Sequence, residues 1–228
     1  MKINRPLDQL FANEARVQIL RTLFRFPGEF TGRHIARLSR LPHATARLNL
    51  KALEESDILN VKHAGRSKLY SLNTNNILYK PLTDLFEAEQ SVMRELENRI
   101  VSALLSNDTI KDALSHVSIY GSIAQGNERP DSDIDVFLAF KHEIDESKLD
   151  QVLLPLEDEI SASFGNQLHV MTITCKTSDN RWRDLLKPAF LQELSNNGKL
   201  LYGDSIEEVL AACQEKQKQL QHTQEKKV

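Results

Sequence analysis

Two aspartates, Asp133 and Asp135, stand one residue apart at the start of an apolar run that reaches Phe140. In a strand, residues two apart project from the same face. Both carboxylates therefore share one side, while Ile134 between them turns into the core. Paired hard oxygen donors suit Mg²⁺ (or Mn²⁺), which takes carboxylates together with substrate phosphate. Upstream, a second apolar run from His116 to Tyr120 ends on Gly121-Ser122, with Gly126 close behind. A Gly-Ser turn that opens a helix offers backbone N–H groups to an anion. A phosphate cradle beside a paired-carboxylate metal site is the equipment for phosphoryl or nucleotidyl transfer.

Gly121-Ser122, Gly126 and Ser132-Asp133-Ile134-Asp135 follow the pattern G-S-x-x-x-G…S-D-I-D. This resembles the signature of DNA-polymerase-beta-type nucleotidyltransferases, above all the minimal nucleotidyltransferases. The resemblance spans about residues 90–203, and Gly198-Lys-Leu-Leu-Tyr-Gly203 is similar to the family's closing G-x-x-L-Y. It implies that Asp133 and Asp135 hold metal and that Gly121, Ser122, Gly126 and Ser132 bind a nucleoside triphosphate. It also implies a third carboxylate on a later strand. Leu168-His169-Val170-Met171 occupies that place, so His169 stands where an aspartate is expected. A neutral histidine can act as a base but is a poor Mg²⁺ ligand. The catalytic set is thus Asp133, Asp135 and His169. Two alternatives stay open: a strand histidine with no role, and substitution by Asp131 or Glu128 from the loop.

The elements that must position these residues follow from periodicity. After the strand Asp135–Phe140 come a helix at about Ser147–Ser163, a strand at Gln167–Thr174 and a helix at about Asn180–Ser195 ended by Gly198. Lys199–Tyr202 is a short last segment. The Gln-, Lys- and Glu-rich tail from Gln214 is a fraying helix or disordered. Ahead of the motif, Leu82, Leu85, Phe86, Val92, Met93, Leu96, Ile100 and Leu104 recur at helical spacing after Pro81. This linking helix is expected to serve as core near Ile100 and Leu104 and as a dimer contact near Leu82 to Val92.

The first eighty residues read differently. They carry 14 Lys and Arg against 6 Asp and Glu, while the rest of the chain is acidic and the whole has net charge −3. Such asymmetry suggests a basic nucleic-acid module joined to an acidic one. Leu10, Phe11, Ala15, Ile19, Leu20 and Leu23 form one helical stripe that Phe26-Pro27-Gly28 stops. Thr31 caps a second helix, and Pro42 sits in the first turn of a third. Ile58–Lys62 and Lys68–Leu72 are strands joined at Ala64-Gly65-Arg66. Helix, helix, helix and a two-stranded wing resemble the winged helix-turn-helix of ArsR- and MarR-type regulators. Leu50-Lys51-Ala52-Leu53-Glu54-Glu55-Ser56-Asp57-Ile58-Leu59 is similar to their L-x-x-L-E-x-x-G-L-I, with Asp57 for the usual glycine. The resemblance implies duplex DNA as partner and a homodimer. Arg47 and Asn49 would read base edges; His43, Thr45 and Lys51 would touch phosphates; Lys62, Arg66 and Lys68 on the wing would hold backbone.

Hydrophobic residues make up 40% of the chain, and no apolar run approaches the roughly 20 residues that span a bilayer. Cys175 and Cys213 match no zinc spacing and read as two buried or incidental thiols, which fits a reducing cytoplasm. The expected fold class is α/β in the α+β sense. Residues 1–80 form the winged helix, 81–105 the linking helix and 106–205 a nucleotidyltransferase fold with a small mixed sheet flanked by helices, followed by the tail at 206–228. The expected function is nucleotidyl transfer from Mg–NTP to an unknown acceptor by a DNA-binding protein. The alternatives are a transcription regulator that only senses nucleotide, and an antitoxin-like partner of a HEPN-like protein.

Overall fold

The apolar stripe from Leu10 to Leu23 folds as two helices, α1 (Pro6–Leu10) and α2 (Glu14–Arg25), where a single one was expected. The break is set by Asn13, whose side-chain oxygen accepts from the Arg16 N–H at 3.0 Å. Such a cap satisfies an orphan helix donor and fixes a new start. The computed structural model describes residues 3–174, 188–213 and 215. It divides into two units, Met1–Val92 and Met93–Val228.

In the first unit, β1 (Phe30–Thr31) leads into α3 (Gly32–Leu38), capped by the Thr31 hydroxyl as expected. Pro42 falls at the N-cap of α4 (His43–Glu55), one place before the first turn. Strands β2 (Leu59–Ala64) and β3 (Ser67–Leu72) form the wing, and β1 pairs with β3 to give the order β1-β3-β2. Between α4 and β2, Asp57 takes φ 61° where regulators of this pattern carry glycine. A short polar side chain tolerates that left-handed conformation. The Asp57 carbonyl accepts from the side-chain amides of Asn73 and Asn76, at 2.9 and 3.0 Å, which pins the junction. Ile19, Leu20, Leu23, Ile35, Leu50 and Leu53 form the core. Leu82 and Phe86 join it from α5 (Tyr79–Leu105), with Phe86 stacked on Phe24. These two are therefore unavailable as dimer contacts, whereas Leu85 and Val92 are exposed.

In the second unit, α6 (Asp108–Ala113) precedes β4 (Leu114–Tyr120), α7 (Gly121–Gln125), β5 (Ile134–Phe140), α8 (Glu146–Phe164) and β6 (Leu168–Thr174). Then come α9 (Pro188–Asn197) and β7 (Lys199–Gly203). The sheet order is β6-β5-β4-β7, with β5 and β6 parallel and the other pairs antiparallel. This is the small mixed sheet expected. One face buries Val117, Ile119, Val136 and Leu138 against Ile100 and Leu104 of α5 and Leu156 and Ile160 of α8. The other buries Phe137, Ala139 and Ile173 against Leu194 of α9 and Ile206, Val209 and Cys213. Cys213 is buried, one of the two readings offered, but it is disulfide-bonded, which corrects its reading as a free thiol and removes that support for a reducing compartment. Cys175, the start of the helix expected at 180–195, and the tail beyond 215 lie outside the described residues. Among the described residues no helix is long and apolar enough to cross a membrane.

Candidate functional site

Strand register brings the chemistry of the second unit together. Tyr120, Asp135 and His169 are paired in one row across β4, β5 and β6. Asp133 lies just before β5 and outside it, so strand alternation fixes Asp135 alone; Asp133 is nonetheless near enough to Asp135 to push that carboxyl's pKa up. Gly121 follows Tyr120 directly and takes φ 73°. A Cβ on it would lie 2.6 Å from Oδ2 of Asp135. Only glycine allows both that backbone and that approach. The turn that would hold phosphate is thus in contact with the carboxylate that would hold metal. Gly126 caps α7 at φ 67°. Because α7 is five residues long, any anion here would be held by the individual Gly121 and Ser122 N–H groups more than by a macrodipole.

Ser132 has a local part to play. Its hydroxyl oxygen accepts from the Arg129 N–H at 2.9 Å, and its carbonyl accepts from the Asn166 amide at 2.8 Å. Both bonds fix the turn that delivers Asp133. Burial pushes the Asp135 carboxyl above its ordinary pKa; His169 opposes the shift, and Asp133 and Glu193 add to it. Burial also raises the Tyr120 phenol, with Asp135 and Glu193 contributing. His169 is largely exposed, and its Nδ1 lies 3.8 Å from Oδ1 of Asp135. The acidic neighbour from outside the motif is Glu193 of α9, which the sequence reading missed in weighing Asp131 and Glu128. Its only sequence signal would have been a carboxylate on the last helix of an already assigned fold.

Asp133 and Asp135 give an all-oxygen donor pair beside a gap that a single Cβ would close, which fits Mg²⁺ or Mn²⁺. Among the described residues no group of three or more His, Cys, Asp or Glu is placed to hold a metal ion. The remaining ligands would have to be phosphate and water oxygens, as Mg²⁺ commonly takes.

In the first unit, Arg33, His43, Arg47, Arg66 and Lys68 line one cavity of about 640 Å³ between α3, α4 and the wing, and no carboxylate lines it. Arg33 was missed by sequence. The charge of the helix starts gives no distinct signal for it: α3 and α4 have no acidic residue in their first turns, but neither do α5, α7 and α9. Lys51, Lys62 and Lys68 each have a glutamate partner, Glu55, Glu29 and Glu54 respectively. These pairs are exposed, and a phosphate can displace them at little cost. Thr45 is half-buried, with its carbonyl taken by Asn49.

Asn49 needs correction. It is buried, donates to the Thr45 carbonyl and accepts from Asn13 and Arg16. It joins α4 to α2 and the loop before it, so it cannot reach a base edge. Counting from buried Ala46, Leu50 and Leu53, position 49 falls on the inner side of the helix.

Residues 98–207 match the family model for the polymerase beta nucleotidyltransferases. That segment is a polymerase-beta-type nucleotidyltransferase domain. The first unit, by its order of helices and wing, is a winged helix-turn-helix. No curated protein matches the chain. Among solved structures, a toxin-antitoxin with AMP-PNP is similar at 19% identity and TM-score 0.32, over 57% of this chain and 90% of that one. A homodimeric winged helix-turn-helix DNA-binding domain from Mycobacterium bovis, a possible ArsR-family regulator, is similar at 26% identity and TM-score 0.29, over 42% and 89%. TrmBL2, an archaeal chromatin protein, is similar at 14% identity and TM-score 0.28, over 83% and 75%.

Proposed function

We propose that this chain binds duplex DNA through residues 1–80 and transfers a nucleotidyl group from a nucleoside triphosphate through residues 106–205. The observation that carries the transferase reading is the contact of Gly121 with Asp135, which leaves room for nothing larger than a hydrogen between cradle and carboxylate. The Gly121 and Ser122 N–H groups would bind the β- and γ-phosphates, with Gly126 and Ser132 shaping the loop. Asp133 and Asp135 would hold Mg²⁺ or Mn²⁺, which neutralises phosphate charge when bound. An acceptor hydroxyl attacks the α-phosphorus. The new P–O bond forms as the bond to pyrophosphate breaks, and the acceptor proton passes to a base, for which His169 is the candidate. Positioning and charge stabilisation carry most of such a reaction.

A second reading has its own support. His169 sits opposite Asp135 where a third carboxylate would serve the metal nearest the nucleophile. Losing that ligand weakens chemistry more than triphosphate binding, so the domain would sense nucleotide and regulate transcription with slow turnover. A homodimer, with paired heads for paired half-sites, fits either reading. A cytoplasmic setting would suit a DNA partner.

The test is calorimetry with each of the four NTPs with and without Mg²⁺, followed by incubation with labelled NTP and cell extract as acceptor. Binding is expected only with the divalent ion and is expected to vanish in Asp133→Ala with Asp135→Ala. Equal affinity with and without Mg²⁺ would sink the metal site. Binding with no labelled product would select the sensor.

A further inference from the structure

With Asn49 turned inward, the base-facing side of α4 has to be drawn again. Ala44, Arg47, Leu48 and Lys51 are all exposed and recur at i, i+3, i+4 and i+7, the spacing of one helix face. Leu48 is 65% exposed. It is the one large apolar side chain on that face of α4, flanked by Arg47 and Lys51, which line the same cleft with it, as do Glu54, Glu55, Lys68 and Tyr70. A single exposed leucine is ordinary on a protein surface. Here, however, it stands at the middle of the helix whose start lines a cavity with four cationic side chains and His43. Phosphate contacts from these side chains position a duplex but carry no sequence information directly. Leu48 can offer only an apolar contact. In the major groove the apolar group that distinguishes one base from the others is the C5-methyl of thymine.

We infer that Leu48 is a specificity-determining residue that packs on a thymine methyl, with Ala44 one turn earlier widening the apolar strip and Arg47 beside it reading guanine. The inference rests on the DNA-binding reading above. Arg33, Arg66 and Lys68 set the register on the backbone, and the pair Arg47 and Leu48 supplies the discrimination that Asn49 cannot.

The experiment uses the full chain. A binding sequence is first enriched from a randomised duplex pool. Each thymine of it is then replaced in turn by deoxyuridine, which removes the methyl and nothing else. For the wild type, one thymine in each half-site should lose about fourfold in affinity, the worth of one buried methyl. Leu48→Ala should bind the thymine and deoxyuridine duplexes equally, with unchanged salt dependence and an unchanged thermal midpoint, since the residue is exposed. Indifference of the wild type to every replacement overturns the inference, and so does a Leu48→Ala variant that keeps the full thymine preference. Failure of the wild type to retain any duplex at low salt is a different result, and it sinks the DNA-binding reading itself.

Discussion

On the α4–wing face, charge stands at the ends of long exposed side chains, several of them in loose pairs with glutamates of the same unit. At the β4–β5 end of the second unit, charge stands on short carboxylates, one of them, Asp135, fixed by strand register, half-buried and touching a glycine turn. The first arrangement suits a polyanion with many equivalent phosphates, where each contact is replaceable and salt weakens all of them. The second suits one metal and one triphosphate held in one geometry, where a misplacement of an ångström is costly. Single substitutions should therefore act gradually on the first face and almost all-or-none on the second.

The sharpest way to break that contrast is at two glycines of similar backbone. Gly121 and Gly65 have φ 73° and 59°, so alanine strains both by roughly 1–2 kcal/mol. A Cβ at Gly65 meets nothing within 4 Å, whereas at Gly121 it meets Asp135. Gly121→Ala should lower NTP affinity or transfer at least 100-fold on the scale of misplaced active-site groups. Gly65→Ala should change DNA retention only a few-fold. Comparable losses in calorimetry and gel shift would mean that the second site is no more geometrically exacting than the first.

His169→Asp comes next. If the backbone already presents this position to the metal, the restored carboxylate should raise transfer roughly tenfold or more, within the range of a single acid–base group. A wild-type rate of roughly 1 s⁻¹ or above, ordinary for enzymes, would falsify the weakened-site reading. A His169→Asp variant that binds NTP normally yet transfers nothing would favour the sensor.

On the α4–wing face, the DNA-binding reading predicts that Arg47→Ala costs roughly 1–3 kcal/mol of DNA affinity and relaxes sequence preference. Asn49→Ala should instead cost roughly 1–3 kcal/mol of folding stability by leaving its partners unpaired, with base preference intact. Urea unfolding and competition among duplexes separate the two. If Asn49→Ala relaxes preference without loss of stability, its inward placement does not describe the DNA-bound state.

Much of both units was legible in the sequence because their signals are local. A glycine-serine turn between two apolar strands, two aspartates at period two, Thr31 before a helix and Gly65 between strands each act through nearest neighbours. What escaped depends on geometry that no short window contains. The break at Asn13 competes with a continuous apolar stripe, and the cap wins by one hydrogen bond. Asn49 looks like a recognition residue by type, but its side chain satisfies groups 33 and 36 residues away. β1 is two residues long, too short for a periodicity. Glu193 bears on Asp135 only because α9 packs against β4 and α7, a placement that register and topology decide.

The smallest effect concerns what the second site costs when its ligands are absent. Asp135 has its carboxyl pushed above the ordinary 3.8, first by burial, then by Asp133 and Glu193, with His169 pulling the other way. The native state therefore binds that proton more tightly than the unfolded chain. Stability falls as pH rises from the unfolded value through the raised native one, and the loss persists at neutral pH. Asp135→Asn removes the charge while keeping the shape. Its thermal midpoint at pH 7 should lie a few degrees above the wild type's, and the gap should close below pH 3.8, where both states of the wild type are protonated. Mg²⁺ should raise the wild-type midpoint by mass action and leave the variant unmoved. A variant no more stable than the wild type at pH 7 would mean that Asp135 is at ease without a cation. The carboxylate end would then be no more strained than the α4–wing face, and the contrast between the two surfaces would lose its electrostatic basis.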